Sequence, residues 1–456
     1  MLTERPISYG ASSKHTRSFR DSIDAYSRGA ETPREHLEAC LQRLESVEQK
    51  ICAFVTLSID DARIAADAAT ERYRNGKQLS PIDGLPIGLK DLIQTAGVAT
   101  QSGSQIFNNW TPEYDAPVTA ALKRLGAVLV GKTTTTEFAY GEIAPTRNPY
   151  DLERTPGTSS SGSAAAVGAG ILPAAIGTQL MSSVMRPASY CAHVGVKPTF
   201  GVIRQDAIHP FSPSGEHVGI HAHSLEDAWQ ILHALSHETG PVPGLYGLNG
   251  PSSPPTPHAP KRLLRMYTPG WEIADSAVRS AFESALSKLS NAGIDIAEPS
   301  ENDDFQSLED HFAGADACIA EIAAFEMRWP FFEYAAKGHR FHARIERLLE
   351  RARHITIDDY HKALTWKRDF RSLYLSVSNR IDGLIGLTAP EVAPIGLENL
   401  GHPAMCSPAS CIGAPALTLP ALSANRMPLG VQLVGFHHRD ADLFALASWV
   451  DDALAS

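Results

Sequence analysis

The sequence predicts an α/β protein: a single large domain with a mixed β-sheet surrounded by helices. Three stretches carry this expectation. "APVTAALKRLGAVLVGKT" (116–133) reads as a helix running into a buried strand. "RLLRMY", "SAVRSAFESALSKLSNAG" and "IDIAEP", between residues 262 and 299, read as strand, helix and strand. "PALTLPAL" and "LGVQLVG" (415–435) read as strands, followed by a helix from Asp440 to Leu454. With 456 residues, 43% hydrophobic and 20% charged, the chain can build one large core.

Taken in order, residues 1–76 form a helical N-terminal segment. Its opening, "MLTERPISYGASSKHTRSFR", lacks the apolar core of a secretory signal. Residues 33–76 have helical periodicity, with Leu37, Leu41 and Leu44 on one face. Thr32-Pro33 reads as a helix start and Gly76 as its stop. Residues 77–235 hold the core of the fold. They include the short apolar segment "LPIGLKDLI" (85–93), a small-residue helix over 163–172 and a strand over 174–178. The Pro-, Gly- and Ser-rich tract 240–261 reads as a surface connection. Residues 262–456 form a C-terminal α/β part with a helical excursion at about 305–380. All of these belong to one domain, 1–456.

Several function classes are disfavoured. Net charge is −11 and no basic tract is present, which argues against nucleic-acid binding. The apolar run from Ala164 to Gly177, about 14 residues, is short for a membrane span. Cys40, Cys52, Cys191, Cys318, Cys406 and Cys411 are scattered, which fits buried thiols in a reducing cytoplasm. His217, His221 and His223 in "HVGIHAH" lack an acidic or Cys partner to complete a metal site, so no metal is expected.

Three places could carry chemistry. Lys90 lies among Leu85, Ile87, Leu89 and Leu92. Burial there would lower its pKa and make its neutral amine a base near pH 7, whereas a surface lysine would merely snorkel. "PGTSSSGSAAAVGAG" (156–170) is a Ser/Gly loop running directly into an apolar helix, unlike a linker. The pair Ser182-Ser183 precedes "VMRPASYC". A nucleophilic serine needs a base and backbone N–H donors for its oxyanion. None of these is specific alone.

In this order they are. Lys90, "GTSSSGSAAAV" and "GTQLMSSVMRPASYCAHVGVKPTFG" resemble the amidase signature family of serine hydrolases. "GKTTTTEFAYG" (131–141), "PSGEHVGIHAHSLEDAW" (213–229) and "GAPALTLPALSANRMPLGVQLVG" (413–435) extend the likeness over roughly 35–450. The resemblance implies the amidase signature fold and a Lys–cis-Ser–Ser triad acting through an acyl-enzyme. Lys90 matches the base, Ser159 the bridging serine with its cis peptide, and Ser183 the nucleophile; Ser182 is the competing nucleophile. Backbone N–H groups of Leu180, Met181, Ser182 and Ser183 would form the oxyanion hole, and Ser160, Ser161 and Ser163 would shape the loop. No cofactor is implied. The expected substrate is a small aryl or acyl amide, or a carbamate, in a free-standing enzyme. A catalytic subunit of a glutamine-dependent tRNA amidotransferase and a non-catalytic paralogue are the alternatives. No membrane partner is expected, and a homodimer is compatible with the sequence.

The chain also departs from the family pattern. Where members carry Thr-Gly-Gly-Ser, it has Leu180-Met181-Ser182-Ser183. Glycines there permit positive φ, so Met181 and Ser182 are expected either in ordinary backbone space or under strain. Met181 would add apolar bulk beside the scissile bond. Ala192-His193 replaces small apolar residues, and Glu216 stands where an Asp is usual.

Overall fold

The computed structural model describes residues 18–141 and 143–455. Its centre is one mixed sheet of eleven strands, β1 (Phe54–Leu57), β2 (Pro86–Lys90), β3 (Val128–Thr133), β4 (Ala174–Gln179), β5 (Val194–Lys197), β6 (His217–Ala222), β7 (Arg262–Arg265), β8 (Asp295–Ala297), β9 (Gly383–Leu387), β10 (Ala416–Ala424) and β11 (Met427–Val434). Their spatial order is β1-β3-β2-β4-β6-β5-β10-β11-β9-β7-β8. The single α/β domain is therefore as expected.

The sheet falls into two blocks that follow the chain. Strands β1–β6 pair only among themselves, as do β7–β11, except at one seam. There β5 pairs antiparallel with β10 through Ala416↔Lys197, Leu417↔Val196 and Thr418↔Gly195. Residues 240–261 link the blocks and contain no helix or strand. Strand, helix and strand between 262 and 297 form a parallel unit, with β7 paired to both β8 and β9. Five helices between Asp303 and Ser376 form the excursion. Among the described residues no helix is long and apolar enough to cross a membrane.

The N-terminal segment corrects one expectation. Residues 33–76 are not one helix: Pro33–Ile51 and Ile59–Arg74 are helical, and β1 lies between them. The start was legible, because Thr32 and Glu35 form a reciprocal cap and Pro33 takes the first helical position. The break comes from Cys52, which turns left-handed at φ 56°. "FVTL" then pairs with β3. Its β-branched and aromatic residues suit a strand, yet four residues are too few to interrupt a helical period in sequence.

The small-residue helix, Ser161–Gly168, is buried throughout. A Cβ at Gly162 would lie 2.3 Å from both Ala53 O and Thr134 N. Ser163 Oγ lies 2.6 Å from Thr133 Oγ1 and donates to Ile176 O at 3.0 Å. Glycine and serine thus bring this helix against the ends of β3 and β4, which fixes the loop ahead of it.

Candidate active site

Parallel strands β2 and β4 are neighbours in the sheet. Their carboxyl ends open on one side, the usual place for a ligand crevice in an α/β sheet. Lys90 is the last residue of β2 and is fully buried. Its Nζ lies 2.7 Å from Ser159 Oγ, 2.9 Å from Thr178 Oγ1, 3.1 Å from Ser160 Oγ and 3.4 Å from Thr178 O. All four are uncharged acceptors. Burial therefore pulls its pKa down from the usual lysine range to about 7, with the Glu216 charge opposing. Glu216 is itself pushed up to about 7 by burial, and Lys90 opposes that rise. Each group supports the charged form of the other.

Ser159, fully buried, accepts from Lys90 when the amine is protonated, and no other protein acceptor than the neutral amine of Lys90 is in reach of its hydroxyl proton among the described residues. The peptide at Ser159 is trans, contrary to what the resemblance implies: the cis bond among the described residues joins Trp329 and Pro330. With the link trans, Lys90 Nζ still reaches the Ser159 hydroxyl at 2.7 Å. Gly157, at φ 116°, lets this loop approach the helix Met185–Tyr190; a Cβ there would meet Pro187 Cα at 2.8 Å. The Ser159 loop is thereby pressed against the segment that follows Ser183.

Ser183 and Ser182 lie in the turn between β4 and that helix, with Ser183 the more exposed at 7% against 2%. Met181 and Ser182 are absent from the residues with positive φ, so the turn runs through ordinary backbone space. A set of side-chain contacts does the shaping. Gln179 Oε1 accepts from the N–H groups of Val184 and Met185 at 2.8 and 2.9 Å. Gln179 Nε2 donates to Ser410 Oγ at 2.9 Å, and Ser410 Oγ donates to Met181 O at 2.7 Å. Among the described residues no acceptor engages the backbone N–H of Met181, Ser182 or Ser183. Arg186 is buried and donates to Gly401 O at 2.7 Å.

Sequence reasoning missed Thr178, Gln179 and Ser410 as parts of this site. Thr178 could have been suspected from its place two strand residues beyond Leu89's partner Ile176; Ser410 carries no signal, since it lies 229 residues from Met181. The three histidines of "HVGIHAH" are spread by strand geometry. His217 and His221 pair opposite Gln179 and Ala175, four residues apart along β6, and His223 follows its end. Among the described residues no group of His, Cys, Asp or Glu is arranged to hold a metal ion.

Beside Thr178 and Glu216 is a small pocket of about 70 Å³. Gln205, Ile208, Pro210 and Pro213 line it and also line a cavity of about 790 Å³. Phe107, Trp110, His209, Trp329 and Tyr334 make much of the larger wall apolar and aromatic.

The sequence profile of the Amidase family matches residues 35–444. The chain is 33% identical over 464 aligned residues to a glutamyl-tRNA(Gln) amidotransferase subunit from Chloroflexus aggregans, covering 92% of each chain. It is 30% identical over 456 residues to the corresponding subunit from Geobacillus kaustophilus, covering 90% of this chain and 92% of the relative. Among solved structures, a crystal structure of an amidase matches with TM-score 0.84 and 26% identity, covering 96% of this chain and 99% of that one. The peptide amidase of Stenotrophomonas maltophilia matches with TM-score 0.80 and 25% identity, covering 96% and 97%. Alike over most of its length in sequence and nearly all of it in fold, the chain belongs to the amidase signature family of hydrolases.

Proposed function

We propose that the protein is a free-standing hydrolase of small amides and carbamates, with Ser183 as nucleophile, Ser159 as proton bridge and Lys90 as base. One observation carries this reading: a fully buried lysine without a hydrogen-bonded carboxylate, its pKa near 7, lies 2.7 Å from the Ser159 hydroxyl. Neutral Lys90 takes the Ser159 proton as Ser159 takes that of Ser183. Ser183 Oγ attacks the carbonyl carbon, and its charge passes to the carbonyl oxygen. The unengaged N–H groups of the 180–183 turn receive that oxyanion; one such donor is worth about 2.7–4 kcal/mol in other hydrolases. Collapse breaks the C–N bond, and Lys90 returns its proton through Ser159 to the leaving amine. Water then cleaves the acyl-enzyme by the same route.

The adjoining cavity supports an apolar, aryl-bearing substrate, since Phe107, Trp110, Trp329 and Tyr334 offer ring faces and few charges. Carbamates fit the same attack because their carbonyl is an acyl centre bonded to nitrogen.

The test is labelling of the purified chain by a fluorophosphonate, located by peptide mass spectrometry. The expected adduct sits on the Ser183 peptide and is lost in Ser183→Ala and Lys90→Ala. An adduct on Ser182 in Ser183→Ala, or an unlabelled wild-type chain, counts against the assignment. A panel of anilides, aliphatic amides and carbamates then ranks substrates, with the aryl members expected first.

The names of the relatives favour a second reading, the catalytic subunit of a tRNA amidotransferase. It requires glutaminase activity and a co-purifying partner. A chain that labels and hydrolyses anilides alone, without glutaminase activity, excludes it.

A further inference from the structure

The protein has six tryptophans, and most of them are packed. Trp229 is buried, Trp110 lies with its ring centroid 5.3 Å from that of Phe107, and Trp271, Trp366 and Trp449 pack against the two main cores. Trp329 is different. It is 69% exposed and belongs to no hydrophobic cluster, and no ring, cation or acceptor engages its indole among the described residues.

Its backbone is nevertheless pinned. Arg328 donates to Ala352 O at 2.9 Å and to Ile355 O, and its guanidinium lies over the Phe325 ring. Met327, Pro330 and Phe331 are buried. Proline disfavours helical backbone at the residue before it, and Trp329 is extended at φ −108° and ψ 128°. An anchored chain thus holds a large indole out of the core and leaves its apolar surface in water, which marks a surface built to be covered.

The cavity beside the Lys90 site is what that surface faces. Trp329 and Pro330 belong to its wall, and the wall residues Gln205, Ile208, Pro210 and Pro213 also line the small pocket at Thr178, whose hydroxyl accepts from Lys90. Phe107, His209 and Tyr334 form a half-buried aromatic part of the wall, with the Phe107 centroid 5.6 Å from His209 and 5.8 Å from Tyr334. Trp110 and Trp329 are its exposed aromatic residues, at 39% and 69%, and so stand at the mouth. The cavity volume of about 790 Å³ falls among the ~300–1,000 Å³ pockets that enclose a drug-sized molecule, so a one-ring amide leaves the mouth unfilled. Charges there do not favour a charged ligand. Asp206 is paired with Arg204, and Glu333 and Lys337 are opposite charges four residues apart.

We infer that Trp329 forms an outer subsite for the second aromatic ring of a two-ring aryl amide or carbamate, the first ring resting against Phe107, His209 and Tyr334. The inference rests on the hydrolase reading above and narrows its substrate class from small aryl amides to diaryl ones. An indole suits the task, because it offers a large apolar face with only two side-chain torsions to fix. The subsite makes and breaks no bond; it acts by binding the part of the substrate remote from the carbonyl.

The experiment compares acetanilide with 4-benzylacetanilide, which share the acyl group and the leaving nitrogen, on wild type, Trp329→Ala and Trp329→Phe, with thermal melts. The readout is the ratio of kcat/KM for the two-ring substrate to that for the one-ring substrate, in which any loss common to both cancels. Burial of the second ring is expected to give a wild-type ratio of about ten or more. Trp329→Ala is expected to lower it to about two, and Trp329→Phe, which keeps a ring face, to retain at least about half of it. A wild-type ratio near one overturns the inference, as does a folded alanine variant with the wild-type ratio. If the alanine variant does not fold, Trp329→Leu, which keeps apolar bulk without a ring face, carries the same two outcomes. If wild type labels at Ser183 but hydrolyses neither anilide, protection of Ser183 from the fluorophosphonate by the same two compounds gives the ratio as relative Kd. A wild-type chain that neither labels nor hydrolyses removes the hydrolase reading itself, whereas labelling with a ratio near one removes the outer subsite alone.

Discussion

Burial brings the pKa values of Lys90 and Glu216 both to about 7, and the charge of each opposes the shift of the other. Only the neutral amine accepts a proton, and its fraction falls as pH drops through the lysine's pKa. Activity is therefore expected to fall below about pH 7, measured as kcat/KM on the best anilide. Glu216→Gln removes a carboxylate that favours the ammonium, so its acid limb is expected at lower pH than that of wild type. An unmoved limb would separate Glu216 from the base. At this scale the approach of Lys90 to Ser159 was legible because motifs fix the spacing of side chains; the roles of Lys90, Ser159 and Ser183 are the proposal made above. Thr178 and Ser160 were less so: their role depends on where β2 and β4 end relative to one another, which is sheet register and leaves no mark in local sequence.

The turn after β4 shows how an element replaces residue types. Its geometry comes from Gln179, Ser410 and ordinary φ values rather than from glycine. Restoring the two glycines, Met181→Gly with Ser182→Gly, is expected to give no faster labelling. It should lower stability by about 0.5–1 kcal/mol per site through added freedom in the unfolded chain, read as a lower denaturant midpoint. Ser410→Ala removes the hydrogen bonds to Met181 O and Gln179. Labelling is expected to slow about tenfold, the effect of some 1.4 kcal/mol in the barrier, with stability down by about 1–3 kcal/mol. Gly162→Ala should be worse for folding, because its Cβ meets backbone atoms that cannot yield. Among elements, the helix ending at β3 and the hairpin β10–β11 were readable from period and punctuation. β1 was not, because its place comes from a partner strand more than seventy residues away.

Across the whole molecule, burial of lysines ties stability to alkaline pH. Lys90 and Lys197 are held near pKa 7 and Lys132 near 8, all by desolvation. In the unfolded chain lysines keep their protons to about pH 10.4, so between pH 7.5 and 8.5 the unfolded state binds more protons. Stability is expected to rise over that interval, by up to about 1.4 kcal/mol per pH unit for each lysine, read from urea midpoints. Lys197→Met should flatten the rise. A midpoint that falls from pH 7.5 to 8.5 contradicts this account. The seam at β5 and β10 has a different consequence. Every proposed reacting group lies before residue 240, while Ser410, which braces the 180–183 turn through Met181 O, lies after 261. Two pieces expressed separately, divided within 240–261, would each present a bare strand edge, prone to aggregation alone and complementary together. Mixed, they form a split enzyme whose activity reports their reassociation.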